Sequence, residues 1–162
     1  MNYIKKLSLT AFILLLALSQ ISASTLSTRK VKIAGGANYD ANLGRSGVAL
    51  IGSYYSGELI LARKDGVSAK TPKMNFVAAL LDARFTAPDG SRITRVHSPV
   101  YVYFKVAKTE IGSWKKGLLS IYYFEPWTNS WKVCPTTLVE ADGDRRLVCR
   151  IGFFGLYGLA KK

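Results

Sequence analysis

The chain is poor in the side chains from which active sites are assembled: it has one histidine, two cysteines and ten acids in 162 residues. A hydrolase or transferase holds a base near a nucleophile or recruits a metal. His97 stands isolated in Arg95-Val96-His97-Ser98-Pro99, where a loop meets a strand, and reads as an exposed or locally bonded side chain. The acids are spread thinly, mostly beside turn residues. Asp142 and Asp144 flank Gly143, but two carboxylates fall short of the roughly six to eight oxygens that surround Ca²⁺. No phosphate-binding glycine loop, dinucleotide glycine pattern or Cys/His set at zinc spacing is present. These deficits point away from an enzyme, and they imply no metal and no small-molecule cofactor.

Long apolar runs are missing too. The longest, Leu7 to Leu18, is too short to span a bilayer. It follows Lys5 and Lys6 and precedes Ser22-Ala23-Ser24, the three-part design of a secretory signal peptide over residues 1–23. Cleavage near Ala23 is expected, with export to the periplasm, cell surface or medium; an uncleaved membrane anchor is the alternative. The remaining chain, of about 139 residues, suffices for one domain and not for two. The whole chain carries a formal charge of +13, and the leader holds two lysines and no acid, so +11 remains after cleavage. That exceeds what solubility requires. The abundance of Tyr, Phe and Trp excludes disorder, because such a chain has apolar surface to bury.

No stretch shows convincing helical periodicity. Residues 24–30 read as a flexible polar tail, and residues 31–162 as the folded domain. Within it, short β-branched or aromatic segments alternate with turn residues. The candidate strands are Lys30–Ile33, Val48–Ile51, Gly57–Arg63, Phe76–Thr86, Val100–Val106, Leu118–Phe124, Trp131–Cys134, Leu147–Ile151 and Phe154–Ala160. Asn75 to Arg84 also has helical propensity, and its continuation into Phe85-Thr86 and a Pro-Asp-Gly turn favours strand. Val100, Val102, Phe104 and Val106 fall on one face of their strand, with Tyr101, Tyr103 and Lys105 on the other. Roughly eight such strands predict an all-β fold, a single antiparallel β-sandwich.

An exported protein meets an oxidising compartment, so Cys134 and Cys149 are candidates for a disulfide. Their flanks read as two arms of a hairpin turned near Asp142-Gly143, which would set them nearly opposite. Two buried thiols are the alternative.

Three ordered segments carry a family likeness: Pro99-Val100-Tyr101-Val102-Tyr103-Phe104, Leu119-Ser120-Ile121-Tyr122-Tyr123-Phe124-Glu125, and Asn129-Ser130-Trp131-Lys132-Val133-Cys134-Pro135. With Phe153-Phe154-Gly155-Leu156-Tyr157-Gly158-Leu159 closing the chain, they resemble the β-sandwich module shared by zonula-occludens proteins, netrin receptors and ankyrins, a module common in bacterial exported proteins. The segments Gly47 to Arg63 and Phe76 to Ile93 match it more loosely. The resemblance implies a core position for Trp131. Some relatives cleave their own backbone at a His-Phe-Ser tripeptide; here Phe153 and Gly155 stand in those places, which removes base and nucleophile and implies a form without self-cleavage.

What remains is surface. Arg63, Lys64, Lys115, Lys116, Arg145 and Arg146, with Lys70, Lys73, Lys161 and Lys162, lie in predicted turns and strand ends. Their field would attract a polyanion such as anionic polysaccharide, anionic lipid or extracellular DNA. Tyr54, Tyr55, Trp114 and Trp127 are candidates for an aromatic platform for sugars or bases. The expected function is a non-catalytic interaction module. The alternative is a structural subunit that self-associates through sheet edges, with Phe154–Ala160 as a candidate edge.

Overall fold

Alternating apolar residues build two antiparallel sheets that pack face to face. The computed structural model describes residues 25–66, 72–141 and 143–162; the expected leader, Lys70 and Asp142 lie outside them. The first sheet has the spatial order β1 (Thr25–Ile33), β4 (Gly57–Lys64), β6 (Leu80–Thr86), β13 (Leu156–Lys161), β9 (Leu119–Glu125) and β10 (Ser130–Cys134). Two short strands flank it: β5 (Asn75–Phe76) on β13 and β7 (Arg92–Ile93) on β6. The second sheet has the order β11 (Thr136–Ala141), β12 (Asp144–Phe153), β8 (Arg95–Lys105), β3 (Ser46–Leu50) and β2 (Tyr39–Leu43). Leu59, Leu61, Phe85, Ile121 and Leu159 of the first sheet meet Val48, Val102, Phe104 and Leu147 of the second in one core. The all-β sandwich is as the sequence predicts, with more strands than expected.

The differences have physical causes. The supposed tail 24–30 is largely strand: Thr25 to Ile33 pair with β4 down to Gly57. As an edge strand, β1 packs little more than Val31 and Ile33 against the core, so Arg29, Lys30 and Lys32 mask its alternation. β2 and β11 are likewise edge strands: β2 turns Asp40 and Asn42 outward, and β11 packs little beyond Leu138 against the core. The Phe76–Thr86 run is strand rather than helix but divides into β5 and β6, both alongside β13. The C-terminal strand is no sheet edge: β13 lies between β6 and β9. The helix α1 (Lys108–Lys115) had little to announce it, with Ile111 as its only buried residue and Gly112 inside it. Gly117, at φ 70°, ends the excursion in the left-handed region that glycine tolerates.

Cys134 and Cys149 form a disulfide with a Cα separation of 6.0 Å. Its placement differs from the expected hairpin. The partner of β12 across the Gly143 turn is β11, and Cys149 stands opposite Thr136. β10 and β11 form one extended run that changes sheets at Pro135, a residue without the N–H that a continuing ladder needs. The bridge therefore ties the first sheet to the second at the crossover. Thr136 locks the same corner: its hydroxyl accepts from the Ile121 N–H at 3.2 Å and donates to the Cys134 carbonyl at 2.7 Å.

Trp131 is outside the inter-sheet core. It is half-buried against Phe76 and Phe124, and its indole N–H donates to the Pro72 carbonyl at 2.9 Å.

Candidate functional site

Antiparallel topology sends alternate connections to opposite ends of a sandwich. One end collects the β2–β3 turn, the end of β4, the α1 excursion, the β11–β12 turn and the C-terminus. All six cations nominated from the sequence lie there. Arg63 and Lys64 close β4. Lys115 and Lys116 end α1. Arg145 and Arg146 open β12.

Their availability differs. Lys64 is 3.1 Å from the buried carboxylate of Asp82, and Arg145 is 3.8 Å from Glu140. Arg146 is the most committed: it reaches Asp40 at 2.6 Å and Asp144 at 3.1 Å, and its guanidinium lies 4.4 Å over the Tyr103 ring. By contrast, Arg63, Lys115 and Lys116 have no carboxylate within ion-pair distance among the described residues. Lys161 and Lys162 join the two helix-end lysines, because Lys161 pairs with Leu119 and the Lys162 N–H donates to the Leu118 carbonyl at 3.1 Å. Lys73 lies just before β5, whose Asn75 pairs with Lys161.

Sequence reasoning missed Arg45, Lys105 and Lys108 at this end. Arg45 pairs with Glu110 at 2.6 Å, and Glu110 also accepts the Ala107 N–H at the start of α1. Burial alone would raise the Glu110 carboxyl; the bonds from Arg45 and Ala107 outweigh it and hold the group below the ordinary range. Lys105 is 2.9 Å from Asp144. Adjacent basic turns were readable as charge; their neutralisation by acids from other strands was not.

Asp40 anchors a ladder across the outer face of the second sheet, accepting from the Tyr103 hydroxyl at 2.5 Å and from Arg146. Burial would raise its carboxyl, and the Arg146 and Tyr103 bonds more than compensate, so its pKa lies below the usual aspartate value. Burial, with Asp40 beside it, pushes the Tyr103 phenol up. A depressed carboxyl contributes stability that is complete above its unfolded pKa and fades as pH falls through the folded one. At neutral pH, Asp40→Asn is expected to cost up to about 1 kcal/mol, limited by solvent screening. In urea unfolding at a series of pH values, the gap between wild type and variant should close below about pH 4.

The aromatic candidates do not form one platform. Tyr54 is exposed and packs edge-on to Tyr55, which leans on the core beside Phe85 and His97. Trp114 is half-buried against the core from α1. Trp127 is 72% exposed at the opposite end of the sandwich, next to Phe153. Among the described residues no three His, Cys, Asp or Glu side chains gather as a metal site.

No protein-family model, curated protein or solved structure matches the chain.

Proposed function

We propose that the chain is an exported, non-catalytic β-sandwich that binds anionic polymers through its basic end. The observation that carries this reading is the convergence of Lys73, Lys115, Lys116, Lys161 and Lys162, contributed by three separate segments of chain, without carboxylate partners among the described residues. Repeated phosphate, sulfate or carboxylate groups suit such a surface, since each contact releases a counterion and affinity falls steeply with salt. The Cys134–Cys149 bridge accords with an oxidising compartment. This reading also takes the chain as a relative of the module it resembles, with Phe153 and Gly155 in place of the self-cleaving pair.

Self-association through sheet edges is less favoured. In the first sheet, β1 offers Arg29, Lys30 and Lys32 along one edge and β10 offers Lys132 on the other, the kind of charge that blunts edge pairing.

The test is retention on immobilised heparin at low salt, with DNA and anionic vesicles run in parallel to rank the polymers. Lys115→Ala/Lys116→Ala is expected to weaken heparin binding about tenfold near 0.1 M salt and to lower the log–log salt slope by about two. Flow-through of the wild type at low salt overturns the reading. A salt-resistant oligomer in light scattering favours the self-associating alternative.

A further inference from the structure

The end opposite the basic surface holds a cleft of about 560 Å³. Its floor is the outer face of β6, its rim the β9–β10 turn, the β12–β13 turn and the start of β8. One wall is aromatic, made by Phe124, Trp127 and Phe153; the other carries Arg84, Arg92 and Arg95. These residues are scattered over the sequence, and only Trp127 was nominated there as a binding residue.

We propose that this cleft is a binding site for an acidic sugar residue, a pyranose bearing a carboxylate, within a uronate-containing glycan. Three features support that ligand class. The volume lies within the range of about 300–1,000 Å³ typical of small-molecule sites. The lining is cationic: Asp82, its only acid, is 6% exposed and already held between Arg84 at 2.6 Å and Lys64 at 3.1 Å. Arg92 and Arg95 have no carboxylate partner among the described residues, which leaves two planar forks suited to bidentate capture of a carboxylate. The third feature is the shape of the aromatic wall. The Trp127 and Phe153 rings meet at 63° with centroids 6.1 Å apart, a corner with no parallel slot for a flat base. A sugar ring presents C–H groups in several directions and fits a corner of that kind.

The walls are held in place before any ligand arrives. The Phe154 N–H donates to the Thr94 carbonyl at 2.9 Å, and the Ala83 N–H to the Gly155 carbonyl at 2.8 Å, fastening the β12–β13 turn to the β7–β8 link and to β6. Phe153 packs against Tyr123, and its carbonyl accepts from the buried Tyr157 hydroxyl at 2.5 Å. Preorganisation of this kind lowers the ordering cost of binding.

The site touches the basic end only through the Lys64–Asp82 pair, and the test separates them. The leader-free protein is titrated with galacturonate and glucuronate trisaccharides, followed by tryptophan emission and calorimetry. Saturable binding to at least one is expected, with its methyl ester at least about tenfold weaker. Trp127→Ala and Arg92→Ala/Arg95→Ala should each weaken binding about tenfold or more, while Lys115→Ala/Lys116→Ala leaves it unchanged. The substituted cleft residues are solvent-exposed, so thermal unfolding should match wild type and exclude misfolding. Lack of binding to both trisaccharides overturns the proposal. So does equal affinity for the ester, equal affinity for inorganic phosphate, or sensitivity to the lysine variant instead of the cleft variants.

Discussion

Cys134→Ala/Cys149→Ala is expected to destabilise the sandwich by about 3 kcal/mol, the loop-closure contribution for a bridge whose cysteines are 15 residues apart. For a domain of this size the melting temperature should fall by about 10 °C. The effect is large because of where the bridge sits. β10 is an edge strand, hydrogen-bonded only to β9 within its sheet, and its chain leaves for the other sheet immediately after Cys134. Cys149 belongs to β12, which is held on both sides by β11 and β8. The disulfide thus ties the least supported part of one sheet to a well-supported strand of the other. Both sulfurs are buried, so alanine leaves small voids and avoids placing a hydroxyl in the core. Urea unfolding without reductant, alongside reduced wild type, measures the loss. Amide exchange should accelerate first in Trp131 to Cys134. An unfolding midpoint unchanged by the double substitution would show that the crossover holds without its bridge.

That bridge also marks how far sequence reasoning reaches. The pairing of the cysteines was legible from their spacing and the expected export, and the turn at Gly143 is real. The strand partner was not legible, because symmetry about a turn cannot reveal that Pro135 sends one arm into a second sheet. Interior strands such as β8 were readable because both faces must be accommodated and Val100, Val102 and Phe104 alternate strictly. Edge strands bury one face weakly, so β2, β11 and the part of β1 before Lys30 read as tail or loop. The basic end was legible as a set of residues but not as a place. Antiparallel topology gathers them, and only the fold reveals that Arg146 is committed to Asp40, 106 residues away. The arginine cleft lay beyond reach for the same reason, since Arg84, Arg92 and Arg95 become neighbours of Trp127 only through the sheet.

Gly47→Ala is expected to cost about 3 kcal/mol or more, an unusual penalty for adding one methyl group to a strand. Gly47 lies in β3 between Asn42 of β2 and Tyr103 of β8. The Tyr103 ring crosses directly over it to reach Asp40, an aromatic covering a strand glycine. A Cβ at position 47 would stand 2.4 Å from the Tyr103 ring and 2.6 Å from the Ala41 carbonyl oxygen. The ring has no easy retreat, being 2% exposed, hydrogen-bonded at its hydroxyl and covered by Arg146. Adding the methyl group therefore gives overpacking, about 1–3 kcal/mol, and breaks the bond to the Asp40 carboxylate, about 1.5–3 kcal/mol. Tyr103→Phe isolates the second contribution, because the ring stays and the hydroxyl goes. A double-mutant cycle isolates the first: in a Tyr103→Ala background, Gly47→Ala should cost far less than in wild type, since the ring it strikes is gone. Additive losses would place the obstacle at the Ala41 backbone instead and remove Tyr103 as the reason this strand carries glycine.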